Sequence, residues 1–196
     1  LWKARATLGL DPEQARLLEE THEKFVRAGA ALQPAARAQV AAINEELAKL
    51  GVEFGQKLLA DQKANDVLLT ADDVAGLPGD QRRAAAIAAK AAGREGGYLF
   101  PATRSAAEPF LTASPNRSAR EQIWRAFVMR GDNGNANDTN AIIAKLVTLR
   151  IKRAKLLGAQ SHAEFVLEDQ MAKTPEAAMD LLMKVYRPAL ERAKEE

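Results

Sequence analysis

The 196-residue chain contains no cysteine, so it can form neither a disulfide bond nor a thiolate metal site. An absence of cysteine fits a reducing compartment, and we expect a cytoplasmic protein, with the periplasm as the alternative. No apolar run reaches the length of about 18 residues that a membrane-spanning helix needs. We therefore expect no membrane partner.

Charge of one sign is not concentrated anywhere in the chain. Its 28 basic and 26 acidic residues are interspersed, and no basic cluster of the kind that binds nucleic acid occurs. Tryptophan and tyrosine are few and scattered, so they form no platform on which bases could stack. We expect no nucleic-acid partner.

The chain is rich in alanine, leucine, glutamate, lysine and arginine, which favour helices. The fold class predicted is therefore all-α, built mainly from antiparallel helices. Two long helices, residues 11–29 and 34–60, are predicted to form a helical hairpin, and the second carries an apolar seam with a spacing of three or four residues. The remaining predicted helices cover residues 81–92, 102–111, 115–130, 138–157, 161–171 and 175–196.

Local signals mark where several of these elements begin and end. Asp11, Ser114 and Thr174 each precede a proline, which predicts a capping side chain followed by proline in the first turn. Pro188 is predicted to kink or end the last helix. Residues 66–70 and 97–101 predict one short β-hairpin, in which Val67–Leu69 is paired. The first residue is Leu1 and the chain stops inside a helical pattern, so we expect both ends to be cut from a longer chain.

The two histidines do not have the spacing of a zinc site. His22 is followed by Glu23, but the second histidine of a His-Glu-x-x-His motif would fall at position 26, which is valine. His162 fails in the same way, and a catalytic zinc usually needs three protein ligands. We interpret both histidines as core-edge residues and assign no catalytic residue and no metal ligand; the substrate-binding residues stay unknown.

The polar loop from Asp132 to Asp138 does not match a calcium-binding loop either. Counted from Asp132, the glycine expected at the sixth position is Asn137, and the glutamate expected at the twelfth is Ile143. A turn followed by a helix cap, with Asn137 or Asp138 as the capping residue, explains these residues better.

Arg150 and Arg153 fall inside the apolar arc of the helix predicted at 138–157. A buried guanidinium must be paired, and the nearby carboxylates in sequence are Glu164, Glu168 and Asp169. A structural ion pair is the first interpretation. The alternative is that one arginine faces a peptide channel and binds a substrate carboxylate, to which its planar fork is suited.

Several segments in order resemble one family of enzymes. They are LDPEQARLLEETHEKFVRAGAAL, INEELAKLGVEFGQKLL, LTADDVAGLP, NDTNAIIAKLVTLRIKRAKLLG and DQMAKTPEAA. The most specific is the run with Leu149, Arg150, Ala154, Leu156, Leu157 and Gly158, followed by a Met-Ala-Lys-Thr phrase. Together they resemble the thimet-oligopeptidase-like zinc metallopeptidases, and bacterial peptidyl-dipeptidases (dipeptidyl carboxypeptidases) most closely.

The resemblance implies a largely helical protein with a deep channel, in which two histidines of His-Glu-x-x-His and a later glutamate hold zinc. It implies that residues 1–196 are the helical N-terminal region of a larger metallopeptidase whose catalytic zinc domain is absent from this chain. The parent would hydrolyse short peptides and release C-terminal dipeptides. This part would form scaffold and one wall of the channel, bind no zinc, and be inactive alone.

Two other functions stay open at this point. One is an oligopeptidase A-like endopeptidase of the same family, and the other is a stand-alone helical binding or scaffold module. The expected partners are short peptides and the missing catalytic domain. Because a cut surface would expose apolar side chains, self-association of the fragment is also expected.

Overall fold

A computed structural model describes all residues from 1 to 196. A 3-10 helix, Trp2–Thr7, precedes eight α-helices and two short strands. In chain order the elements are α1 Pro12–Arg27, α2 Pro34–Ala64, β1 Val67–Leu69, α3 Gly79–Ala91, β2 Tyr98–Phe100, α4 Arg104–Ala113, α5 Arg117–Val128, α6 Asn140–Leu156, α7 His162–Leu167 and α8 Pro175–Glu195. The all-α class is confirmed. None of the helices has the length and apolar character needed to cross a bilayer.

The chain divides into two compact units. One comprises residues 1–48 and 146–196, here called the terminal unit, and the other comprises residues 49–145, here called the central unit. Both boundaries fall inside helices, α2 and α6. No linker composition marks such a boundary, which is why the sequence gives no sign of the division.

The central unit contains the predicted β-hairpin. Strands β1 and β2 pair antiparallel, with Leu68 opposite Leu99, so the predicted hairpin is confirmed. Helix α3 packs on β2, and α4 packs on α5. Phe100 and Phe110 meet edge to face, with ring centroids 4.8 Å apart. Around them lies the main core, which also includes Leu69, Val74, Leu77, Ala85, Ala107, Ala119 and Ile123.

The terminal unit has a much smaller apolar interior. Val40 of α2 and Ala154 of α6 are its buried apolar side chains. Helix α1 lies closer to the 3-10 helix than to α2, so the predicted hairpin is seen as two helices joined by a short connection and not as a tightly packed pair. Phe25 of α1 is 64% exposed.

Two of the three predicted proline-linked caps are confirmed. Asp11 and Thr174 accept hydrogen bonds from the backbone N–H groups of Gln14 and Ala177. The Ser114 prediction is wrong, because α5 begins later and Asn116 caps it through the N–H of Ala119. Ser114 instead ends α4, and its hydroxyl accepts from the N–H of Asn116.

Helix α8 continues past Pro188 to Glu195, so of the two predicted effects, a kink or an end of the helix, the end is excluded. Proline removes one N–H donor and crowds the preceding turn, but the rest of the backbone ladder can still form.

Candidate functional site

A buried carboxylate organises the polar loop of the central unit. Asp61 lies near the end of α2 and is 0% exposed. It accepts hydrogen bonds from the backbone N–H of Gly131 at 2.8 Å and from the side-chain amides of Asn133 at 2.9 Å and Asn135 at 3.3 Å. A buried ionised group needs partners of this kind, since desolvation without them is very unfavourable.

Further contacts hold the same loop from both sides. Lys57, one helical turn before Asp61, donates from Nζ to the carbonyl of Ala136 at 2.8 Å. The hydroxyl of Thr139 donates to the carbonyl of Gly131 at 3.0 Å, and its backbone N–H donates to the same oxygen at 2.8 Å. The loop is therefore tied to α2 by one acidic and one basic side chain.

The remaining carboxylates of the loop are occupied by N–H donors. Asp138 accepts from the backbone N–H of Gly134 at 3.1 Å and from that of Asn140 at 2.8 Å. Asp132 accepts from the side-chain amide of Asn140 at 2.6 Å. The interpretation as a turn before the next helix fits these contacts: Asp138 accepts from the N–H of Asn140, the first residue of α6, while Asn137 donates its backbone N–H to Asn135.

Sequence reasoning missed the role of Asp61, although a signal for it exists. Asp61 follows Leu58 and Phe54 at spacings of three and seven, which continues the apolar seam of α2. A carboxylate at such a position is expected to be buried and hydrogen-bonded. Its partners, however, lie about 70 residues away in sequence, and no local pattern identifies them.

In the terminal unit, two arginines stack on one aromatic ring. The guanidinium carbon of Arg27 lies 4.5 Å from the ring centroid of Phe165, and that of Arg153 lies 5.2 Å from it. Arg27 also donates to the carbonyl of Phe165 at 2.7 Å and forms an ion pair with Glu168. Nε of Arg153 is buried and has no hydrogen-bond partner.

These contacts correct the predicted ion pairs of α6. Arg150 is exposed and not buried, and the carboxylate of Glu168 is paired with Arg27 of α1 and not with Arg150 or Arg153. Glu164 accepts from the backbone N–H of Gln160, so it also serves a local turn. Arg153, which the spacing placed on the apolar arc, is half-buried, but its partner is an aromatic ring and not a carboxylate.

A cleft of about 570 Å³ lies beside the arginine stack. The end of α1, the connection from α6 to α7 and the start of α8 form its walls. Its walls include Arg27, Leu157, Phe165, Lys173 and Pro175. Lys173 has a φ of +62°, uncommon for a residue with a side chain, and its Nζ donates to the carbonyl of Glu168 at 3.3 Å. The cleft combines charge with an apolar wall, and its two hydroxyl side chains, Ser161 and Thr174, cap helices α7 and α8.

The surroundings of the two histidines do not fit a zinc ion. His22 stacks on Trp2 with ring centroids 3.9 Å apart. Burial first, and then the positive charges of Arg150 and Arg153, lower the pKa of His162 below its ordinary value of 6.5. Those two cations would also repel a metal ion. No cluster of three histidine, aspartate or glutamate side chains in the structure is placed to hold a metal, so we derive no metal-dependent step from these residues.

Comparison with known proteins shows which sequences this chain resembles. Residues 110–196 match the model of Peptidase family M3. The whole chain is 39% identical to a dipeptidyl carboxypeptidase of Escherichia coli (strain K12) and 38% identical to one of Salmonella typhimurium, and it covers 29% of each. A probable cytosolic oligopeptidase A of Arabidopsis thaliana is 32% identical over 90% of the chain and 26% of its own length.

The resemblance found in the sequence motifs is therefore confirmed, and the chain is related to the peptidases of family M3. Among the relatives, the likeness to the bacterial dipeptidyl carboxypeptidases extends over the full 196 residues. The chain spans 29% of the length of those relatives.

Proposed function

We propose that this chain is part of a peptidyl-dipeptidase that hydrolyses short peptides and releases C-terminal dipeptides. The observation that carries the proposal is the 39% identity to the E. coli dipeptidyl carboxypeptidase, which covers all of this chain. The match of residues 110–196 to Peptidase family M3 supports the same class of reaction. Zinc is the metal of the parent enzyme in this proposal, and residues outside these 196 positions hold it.

Within that enzyme, this chain serves as scaffold and as one wall of the substrate channel. Two features support this role. The buried Asp61 and its donors give a polar loop one fixed arrangement. The cleft beside Arg27 and Phe165 offers a charged and apolar surface of the kind that accepts a peptide. The chain by itself would be inactive.

The test is a hydrolysis assay on the full-length product of the gene that encodes this chain. A peptide blocked at its N-terminus is incubated with the enzyme, with and without a chelator, and the products are identified by mass spectrometry. We expect C-terminal dipeptides to be released, and the chelator to stop the reaction. Absence of hydrolysis by metal-loaded full-length protein would contradict the proposal.

An oligopeptidase A-like endopeptidase is the second candidate. The 32% identity to the Arabidopsis protein, over 90% of this chain, favours it. The same assay separates the two candidates, because an endopeptidase cleaves at interior bonds and releases fragments longer than a dipeptide from the C-terminal end. We place the parent enzyme in the cytoplasm, as the cysteine-free sequence and the cytosolic description of that relative suggest.

A further inference from the structure

The longest apolar surface left open in the terminal unit belongs to α8. This helix has 21 residues and none of them is buried. Met179, Leu182, Tyr186 and Leu190, spaced by three or four residues, are 56%, 61%, 54% and 38% exposed. Leu181 and Val185, at 64% and 63%, widen this stripe beyond a narrow seam. An apolar arc of this width is typical of a helix that is covered along most of its length.

The helix has little support within its own unit. Its close contacts are with α7, and its half-buried residues, Pro175, Ala178 and Met183, all lie in its first half. Every residue from Lys184 to Glu196 is exposed. Isolated helical segments of about this length are marginal in water, and most helices in proteins are stabilised by packing of their apolar face. The second half of α8 therefore lacks the packing that its sequence is patterned for.

We propose that the apolar stripe of α8, defined by Met179, Leu182, Tyr186 and Leu190, is the surface on which the remaining part of the longer peptidase packs. This inference rests on the proposed function. The occupant is an apolar surface of the same polypeptide, and not a separate protein. The chain spans 29% of the matched relatives, so more than two thirds of their length is available to form it.

The extent of the open surface favours this occupant over a second copy of the chain. Exposed apolar side chains are not confined to α8, since Leu17 of α1 and Val147 and Ile151 of α6 are 66%, 49% and 41% exposed. If two copies paired through α8, the exposed apolar side chains of α1 and α6 would stay uncovered. A partner of the size of a domain can cover several helices. A covalently linked partner also has a high effective concentration, so it binds its surface ahead of an untethered copy.

Because the 196 residues contain no cysteine, single cysteines introduced into α8 would report on this surface directly. Leu182→Cys and Tyr186→Cys probe the stripe. Lys184→Cys, on the opposite side of the helix and also exposed, is the matched control. Each variant is made in the full-length protein and in the 196-residue chain, and the labelling rate of that cysteine by a thiol reagent is followed by peptide mass spectrometry.

In the 196-residue chain at low concentration, we expect all three cysteines to be labelled at similar rates. In the full-length protein, labelling at 182 and 186 should slow by about tenfold or more while labelling at 184 is unchanged, since a packed site reacts only on local opening. The proposal would be overturned if the cysteines at 182 and 186 were labelled as fast in the full-length protein as in the 196-residue chain. Protection that appears in the 196-residue chain as its concentration rises, and is absent from the full-length protein, would assign the stripe to a second copy.

Peptide hydrolysis is measured on the same full-length preparations, so that the two proposals are tested separately. An active enzyme whose stripe is freely labelled would contradict the docking surface and leave the proposed function in place. A protected stripe in a protein that hydrolyses no peptide would support the docking surface and contradict the proposed function.

Discussion

The carboxylate of Asp61 accepts a hydrogen bond of 2.8 Å from the backbone N–H of Gly131, 70 positions further along the chain. The same carboxylate accepts from Asn133 and Asn135, so three donors converge on one buried acidic group. This arrangement fixes where the polar loop begins, and its removal should have a large effect on stability.

We predict that Asp61→Asn lowers the free energy of unfolding by about 2–4 kcal/mol, because a buried amide would point an N–H toward N–H donors and leave them unpaired. Urea-induced unfolding followed by circular dichroism measures the change. Asp72→Asn, at an exposed position of the same unit, is the control and should leave the unfolding curve in place. If Asp61→Asn lowered the free energy of unfolding by as little as Asp72→Asn, the buried carboxylate would not hold the loop.

Gly131 and Gly134 form a matched pair for a second prediction. Both have positive φ, at +74° and +61°, so alanine at either position incurs backbone strain of about 1–2 kcal/mol. Only at Gly131 would an added Cβ also meet a side chain, with Oγ1 of Thr139 at 2.6 Å. Gly131→Ala should therefore be clearly more destabilising than Gly134→Ala in thermal unfolding. Equal changes in Tm would contradict the steric argument.

Arg27 should contribute to stability through Phe165 more than through its ion pair. The Glu168 side chain is 68% exposed, and pairs of that kind contribute about 0–1 kcal/mol. Stacking on the ring and the hydrogen bond to the Phe165 carbonyl are sheltered, so we expect Arg27→Met to cost about 2 kcal/mol and Glu168→Gln much less. Chemical denaturation of both variants, at low and high salt, provides the measurement. If Glu168→Gln lowered the free energy of unfolding as much as Arg27→Met, this ranking would be refuted.

Two groups of Thr70 donate hydrogen bonds to the Asp73 carboxylate, and they lower the pKa of that carboxyl below its ordinary value of 3.8. The hydroxyl of Thr70 has the largest effect, its backbone N–H comes next, and the side-chain amide of Asn116 contributes less. A depressed carboxyl pKa stabilises the folded state above the unfolded value, and the contribution is lost as the pH falls through the folded value. We predict that Thr70→Val raises the pKa of Asp73, measured by NMR titration, and reduces the loss of stability between neutral and acid pH. Thr112→Val, whose hydroxyl donates to a backbone carbonyl on α4, is the control and should change neither.

His162 predicts a second pH dependence of stability, at higher pH than that of Asp73. Its pKa is lowered by burial and by Arg150 and Arg153, so between the folded value and 6.5 the unfolded chain binds the proton more tightly than the folded one. This histidine should therefore reduce stability as the pH falls below 6.5, and the penalty should be complete below its folded pKa. Arg150→Met should raise that pKa toward 6.5 in a proton NMR titration, while Lys152→Met should not. An unchanged pKa of His162 in Arg150→Met would contradict the contribution of Arg150.

The sequence predicted those parts of the fold that depend on local chemistry. The strands β1 and β2 were predictable because short apolar segments were bounded by Asp66, by glycines and by Pro101. The caps at Asp11 and Thr174 were predictable because a polar side chain precedes proline. At Ser114 the same pattern misled, because Asn116 follows two residues later and binds the N–H of Ala119 instead.

The features that depend on distant partners were not predictable in the same way. The spacing of residues in α6 predicted that Arg153 lies on the apolar side of the helix. Nothing in the neighbouring sequence indicated that its partner would be the ring of Phe165, or that Arg27 would stack on the same ring. Similarly, Asp61 lies on the seam of α2, yet its three donors come from a loop that a single sequence does not pair with it. Helix α2 also extends beyond its predicted end, to Ala64, and the backbone N–H and the side-chain amide of Asn65 both donate to the carbonyl of Asp61.

We propose that these 196 residues serve as scaffold of a metallopeptidase and do not themselves hold its metal. Metal analysis of the purified 196-residue chain after exposure to zinc, combined with a peptide hydrolysis assay on the same sample, tests that claim most directly. We predict substoichiometric zinc, removable by a brief wash with a weak chelator, and no hydrolysis. One tightly held zinc per chain, or hydrolysis that persists through further purification and is abolished by a strong chelator, would contradict it.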